Sequence, residues 1–99
     1  MLVAFSVAPG SSDPDGSVSA AVADAIKIIR DSGLPNETNA MFTNVEGDWD
    51  EVMGLVKRTV DAVLRHSDRV SLVLKADIRP GHTNQLTAKV ARVNDLLEG

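Results

Sequence analysis

The chain is 99 residues long, 43% hydrophobic, and carries a net charge of −4 with no cysteine. That length suits one domain, residues 1–99, and the negative balance argues against a nucleic-acid or anionic-membrane partner. Disulfides, thiolate metal sites and a thiol nucleophile are excluded, and the cysteine-free composition fits the cytoplasm.

The first segment, Met1 to Ala8, is apolar and β-prone and stops at Pro9-Gly10. It lacks the positive start of a signal peptide, and no apolar run in the chain is long enough to span a bilayer. Val3, Phe5 and Val7 share one face of the strand; Leu2, Ala4, Ser6 and Ala8 share the other. Both faces are apolar enough to need cover. Gly10 to Gly16 reads as a loop, and Ser17 is a candidate N-cap for the helix that follows. In that helix Val18, Val22, Ala25, Ile26 and Ile29 recur at helical spacing, and Gly33 ends it.

Pro35 to Glu46 is extended. Asn36–Met41 forms one strand and Phe42–Glu46 another, or the same strand continues past a bulge. Gly47 breaks the extended run, and Asp48 with Glu51 has the spacing of a reciprocal capping box. The helix opened there runs to about His66, with a buried stripe of Val52, Val56, Val60 and Val63 and with Met53 and Leu64 beside it. Its valines lower its intrinsic helix propensity, so packing must hold it. Arg69 to Arg79 alternates as a strand and ends at Pro80-Gly81. A last helix over Asn84–Leu97 carries Leu86, Val90, Val93 and Leu97 in a narrow stripe suited to a sheet or a partner chain.

The order β-α-β-β-α-β plus a C-terminal helix predicts an α+β, ferredoxin-like antiparallel sheet with two helices on one face. The uncovered face then predicts self-association. The sequence from Phe5 to Gly33 and the central stretch AMFTNVEGDWDEVM resemble the small thiamine-binding protein family, the MTH1187/YkoF-like family, as does the run from Val73 through Lys75 and Asp77 to Arg79. The resemblance implies a homodimer or homotetramer built through sheet faces and the C-terminal helix. It also implies binding of thiamine or its hydroxymethylpyrimidine moiety, no other cofactor, and no catalysis. Where the family has Pro before the Met and Gly after it, this chain has Ala40 and Phe42. Phe42 would either stack on a ligand ring or fill its space.

An aminopyrimidine asks for hydrogen-bond acceptors and donors at its edge and apolar surfaces on its faces. Glu46 is the candidate acceptor for the exocyclic amine. Thr43, Asn39 and Ser6 are candidate hydroxyl and amide contacts, Phe42 a candidate ring partner, and Asp77 a further ligand-binding candidate that could instead pair with Lys75. Trp49 suits a packing anchor at an interface. His66 and His82 have no companions at metal-binding spacing, so no metal is expected. No nucleophile stands beside a base, so an enzyme is not expected. The competing reading is an ACT-like regulatory module that binds a different small metabolite.

Overall fold

A computed structural model of the chain describes residues 1–10 and 19–99. The expected loop over residues 11–16, the Ser17 cap and Val18 lie outside the described residues. The elements are β1 (Leu2–Pro9), α1 (Ser19–Asp31), β2 (Asn36–Thr38), β3 (Thr43–Glu46), α2 (Trp49–Leu64), β4 (Val70–Asp77) and α3 (Gln85–Glu98). The strands form one antiparallel sheet in the order β2-β3-β1-β4. This is the ferredoxin-like arrangement, with the first strand inside the sheet.

Register decides which side chains share a face. Val3 pairs with Val45 and Ala76, and Phe5 with Thr43 and Leu74. Val3, Phe5, Val45 and Leu74 build the core with Ile29, Val52, Leu55 and Val56, and Thr43 is buried beside them, whereas Ala76 on the edge strand stays exposed. Ala21, Ala25 and Val63 form a second, smaller cluster where the two helices meet β1 and β4. His66 Nε2 lies 2.6 Å from Asp24 Oδ2, which ties the end of α2 to α1.

The predicted α2 stripe is buried at Val52, Val56 and Val63, and Val60 is half-buried. Leu55, Thr59 and Ala62 join it, because a helix wedged between a sheet and another helix buries a wider face than one stripe. Leu64 corrects the expectation: it is exposed. On α1, Val22 is exposed, and Ala21 takes the buried position one residue earlier. Small alanines at positions 21 and 25 let α1 lie close to α2.

The capping box at α2 forms as the spacing predicts: the Asp48 side chain receives the third helical N–H, and Asp48 N donates to Glu51 Oε1 at 3.2 Å. Gly47 ends β3, with its N–H on the Met1 carbonyl at 3.1 Å and its own carbonyl accepting from the Met1 amino group at 2.9 Å. At the other end of β1, Gly10 N donates to Arg69 O at 2.6 Å and to Ser67 Oγ at 3.0 Å.

The extended stretch resolves into two short strands joined by a turn. Asn39 N donates to Phe42 O at 2.9 Å, and Asn39 Oδ1 accepts from the N–H groups of Met41 and Phe42. Asparagine closing its own turn in this way is a hairpin device, and it excludes the continuous strand.

The other face of the sheet carries Leu2, Ala4, Ser6 and Ala8 from β1, opposite Asp77, Lys75, Val73 and Ser71 of β4. α3 meets the body at its base, where its first turn reaches β3 and Lys89 in the following turn bonds Asp77 of β4. Beyond that turn α3 projects outward, with Val90, Val93, Leu96 and Leu97 exposed. The radius of gyration is accordingly 15.1 Å, against about 13 Å for a compact domain of this length.

Candidate ligand cleft and the anchor of the last helix

The β2–β3 turn stands across from α1, and a cleft of about 170 Å³ opens between them over the end of β1. Its walls are apolar where Phe5, Ala25, Ile26 and Ile29 line it, and Met41 and Phe42 come from the turn. The polar groups are Thr38, Asn39 and Thr43. Thr43 is buried, and its hydroxyl lies 3.2 Å from that of Thr38, its register partner across the hairpin. Two hydroxyls sharing one hydrogen bond still hold one free proton and several lone pairs. The pair can therefore both donate to and accept from a third group. The Asn39 oxygen is spent on the turn, which leaves its amide nitrogen as the group it can offer.

Of the six residues predicted for the site, Asn39, Phe42 and Thr43 come together at this cleft. Ser6 borders it along β1, but strand alternation puts its side chain on the opposite face, with Ala4 and Ala8.

Glu46 and Asp77 stand at the far end of the sheet and play a different part. Glu46 is buried, and its carboxylate accepts from two backbone N–H groups of α3, Gln85 N at 2.9 Å and Leu86 N at 3.1 Å. The residue before α3, Asn84, has φ 58° and gives no side-chain cap. Glu46 supplies the missing cap from the body of the protein, where a helix N-terminus favours an anion. Asp77 accepts from the Lys89 ammonium, one turn further along α3, rather than pairing with Lys75. That bond holds the Asp77 carboxyl below its ordinary range, and the nearby charges of Arg79 and Lys75 act in the same sense. The two acids thus fasten α3 to the sheet.

Thr38 and Met41 line the cleft without having been singled out in the sequence. The signal for Thr38 is the hairpin: once Asn39 closes the turn, Thr38 must lie opposite Thr43. No group of three or more His, Cys, Asp or Glu able to hold a metal exists among the described residues.

The fold is thus a ferredoxin-like domain with a small cleft between the β2–β3 turn and α1. Residues 3–94 match the thiamine-binding protein family, and the chain belongs to it. It is 52% identical over 99 residues to the UPF0045 protein Mb1933 of Mycobacterium bovis, covering 98% of this chain and 94% of that one. The structure is similar to that of MJ1052 from Methanocaldococcus jannaschii, with a TM-score of 0.82, 34% identity, and 95% of each chain covered. It is also similar to TM0486 of Thermotoga maritima, a candidate thiamine biosynthesis/salvage protein, with a TM-score of 0.74, 26% identity, and 92% and 97% coverage.

Proposed function

We propose that this protein is a non-catalytic binding protein for thiamine or its hydroxymethylpyrimidine moiety, and that the pyrimidine ring enters the cleft between the β2–β3 turn and α1. The observation that carries the reading is the Thr38–Thr43 hydroxyl pair set among apolar walls, in a chain of the thiamine-binding family. The hydroxyl pair and the Asn39 amide meet the donors and acceptors of a pyrimidine edge, and Phe42 and Ile26 offer apolar faces to the ring. A cleft of about 170 Å³ is smaller than the roughly 300 Å³ at which pockets for drug-sized ligands begin. One ring fits that space, so the pyrimidine is the part enclosed and the remainder of thiamine stays outside.

The protein works as a homodimer or homotetramer in the cytoplasm, joined through sheet faces and α3. Support comes from the half-apolar sheet face, where Val73 is exposed beside Ala4 and Ser6, and from the bare stripe of α3.

Calorimetric titration of purified, ligand-stripped protein tests the binding. Hydroxymethylpyrimidine and thiamine should each saturate, with the free pyrimidine at least as tight. Absence of heat from both compounds, in protein shown to be folded, would refute the reading.

A further inference from the structure

We infer that the base of α3 binds one ordered water molecule between the Gln85 side chain and the ends of β3 and β4, as a third fastening of this helix beside Glu46 and Asp77. The inference is independent of the ligand proposed for the cleft, which lies at the other end of the sheet. Gln85 is the first residue of α3 and is only 8% exposed. Its amide nitrogen donates to the Thr83 carbonyl at 2.9 Å. That bond fixes the orientation of the amide, because a flip would set its oxygen against a carbonyl oxygen. Oε1 is buried and has no hydrogen-bond partner among the described residues. A buried acceptor without a donor forfeits its hydration and gains nothing in return, so native folds leave few of them.

Gln85 also lines a small void of about 10 Å³ together with Glu46, Asp77, Arg79 and His82. That is roughly the smallest space that takes a single water, and it is too small for an organic ligand. A buried water needs about two to four polar partners, and the lining supplies them. Oε1 accepts one hydrogen. Glu46 accepts two N–H groups of α3 and Asp77 accepts from Lys89, which leaves lone pairs on both carboxylates for the second hydrogen. Arg79 spends one N–H on His82 Nε2 at 3.2 Å and keeps others to donate to the water oxygen. His82 is not that donor, since its Nε2 accepts from Arg79 and its Nδ1 faces the Pro80 carbonyl at 3.4 Å. A bound cation fits the site less well. Arg79 and Lys89 already balance the two carboxylates, so no surplus negative charge offsets the desolvation of an ion.

Oxygen-17 magnetic relaxation dispersion counts the waters that a protein holds for longer than it tumbles. The experiment compares wild type with Gln85→Met, which keeps the length of the side chain and removes both polar atoms. At about one buried water per 27 residues, a chain of 99 residues holds about four, and Gln85→Met should hold one fewer. Circular dichroism checks that the variant is folded. A high-resolution crystal structure of the wild type is the second measurement and needs no variant: it should show one water within hydrogen-bond distance of Gln85 Oε1. An equal count in the two folded proteins overturns the inference. So does a crystal structure in which Oε1 has no water, or in which Arg79 turns from His82 to bond Oε1 itself. Sodium or ammonium chloride that slows amide exchange in α3 of wild type but not of Gln85→Met, beyond the effect of choline chloride at equal ionic strength, would make the occupant a cation and refute the water.

Discussion

Replacing Glu46 by glutamine separates the two roles that a buried acid at this position could have. In the structure its carboxylate accepts two N–H bonds from the first turn of α3, at 2.9 and 3.1 Å. Glutamine keeps one acceptor but turns an NH2 toward the other N–H and removes the charge. Bonds to charged groups contribute about 1.5–3 kcal/mol each, and loss of a helix cap costs about 0.5–2 kcal/mol. With one bond and the charge lost, the docking of α3 weakens by about 2 kcal/mol, which corresponds to roughly 30-fold in its opening equilibrium at 1.4 kcal/mol per tenfold. Amide hydrogen exchange followed residue by residue reads this directly. Exchange at Gln85 and Leu86 should accelerate by that factor. Exchange at Val3 and Phe5 should stay as in wild type, because the hydrophobic core contains no residue of α3. Unchanged exchange in α3, combined with weaker hydroxymethylpyrimidine binding, would refute the cap and return Glu46 to the ligand.

Three further outcomes follow from the same geometry. The Asp77 carboxyl is held below its usual range by Lys89, so its contribution to α3 docking is complete above about pH 4 and is lost as pH falls through the lowered value; Asp77→Asn should remove that acid sensitivity from α3 exchange. Thr43→Val keeps the shape of the buried side chain and deletes its hydroxyl, so hydroxymethylpyrimidine affinity in calorimetry should fall by about threefold to tenfold, the range of one neutral hydrogen bond, while the urea midpoint moves little. At Gly10 an added Cβ would stand 2.6 Å from Arg69 Cβ, and Gly10→Ala should cost about 1–3 kcal/mol in urea unfolding by forcing the end of the β1–β4 ladder apart.

Much of the fold is written in local patterns. The Asp48–Glu51 spacing forms its capping box. The alternation from Val70 to Asp77 becomes β4, and the valine stripe of α2 enters the core. These features depend on neighbours within a turn or a pleat, which sequence displays. The candidate site was only half legible for the opposite reason. Asn39, Phe42 and Thr43 lie within five residues of one another, so the hairpin that gathers them is local. Glu46 looks like a polar group next to its helix start, but its partners are the N–H groups of Gln85 and Leu86, and no periodicity connects positions so far apart. The left-handed Asn84, which leaves α3 without a cap of its own, is equally silent in sequence. Strand parity already set Ser6 on the face of Leu2, Ala4 and Ala8, and the register keeps it there; what the sequence does not display is that the cleft opens on the opposite face.

The pairing of β1 has a consequence for how the chain is made. Among the described strands β1 is made before the others and β4 after them, yet β1 lies inside the finished sheet and pairs with β4 along its whole length, Leu2 with Asp77 through Pro9 with Val70. Until residue 77 has been synthesised, the nascent chain holds an apolar strand with an open edge, which is the kind of edge that invites pairing between chains. Closure of that longest loop must precede the contacts that reward it, so assembly of the sheet is slow for a chain of this size. Polysomes translating this message therefore hold neighbouring copies with matching bare strands, and release of residue 77 is the step that ends their exposure.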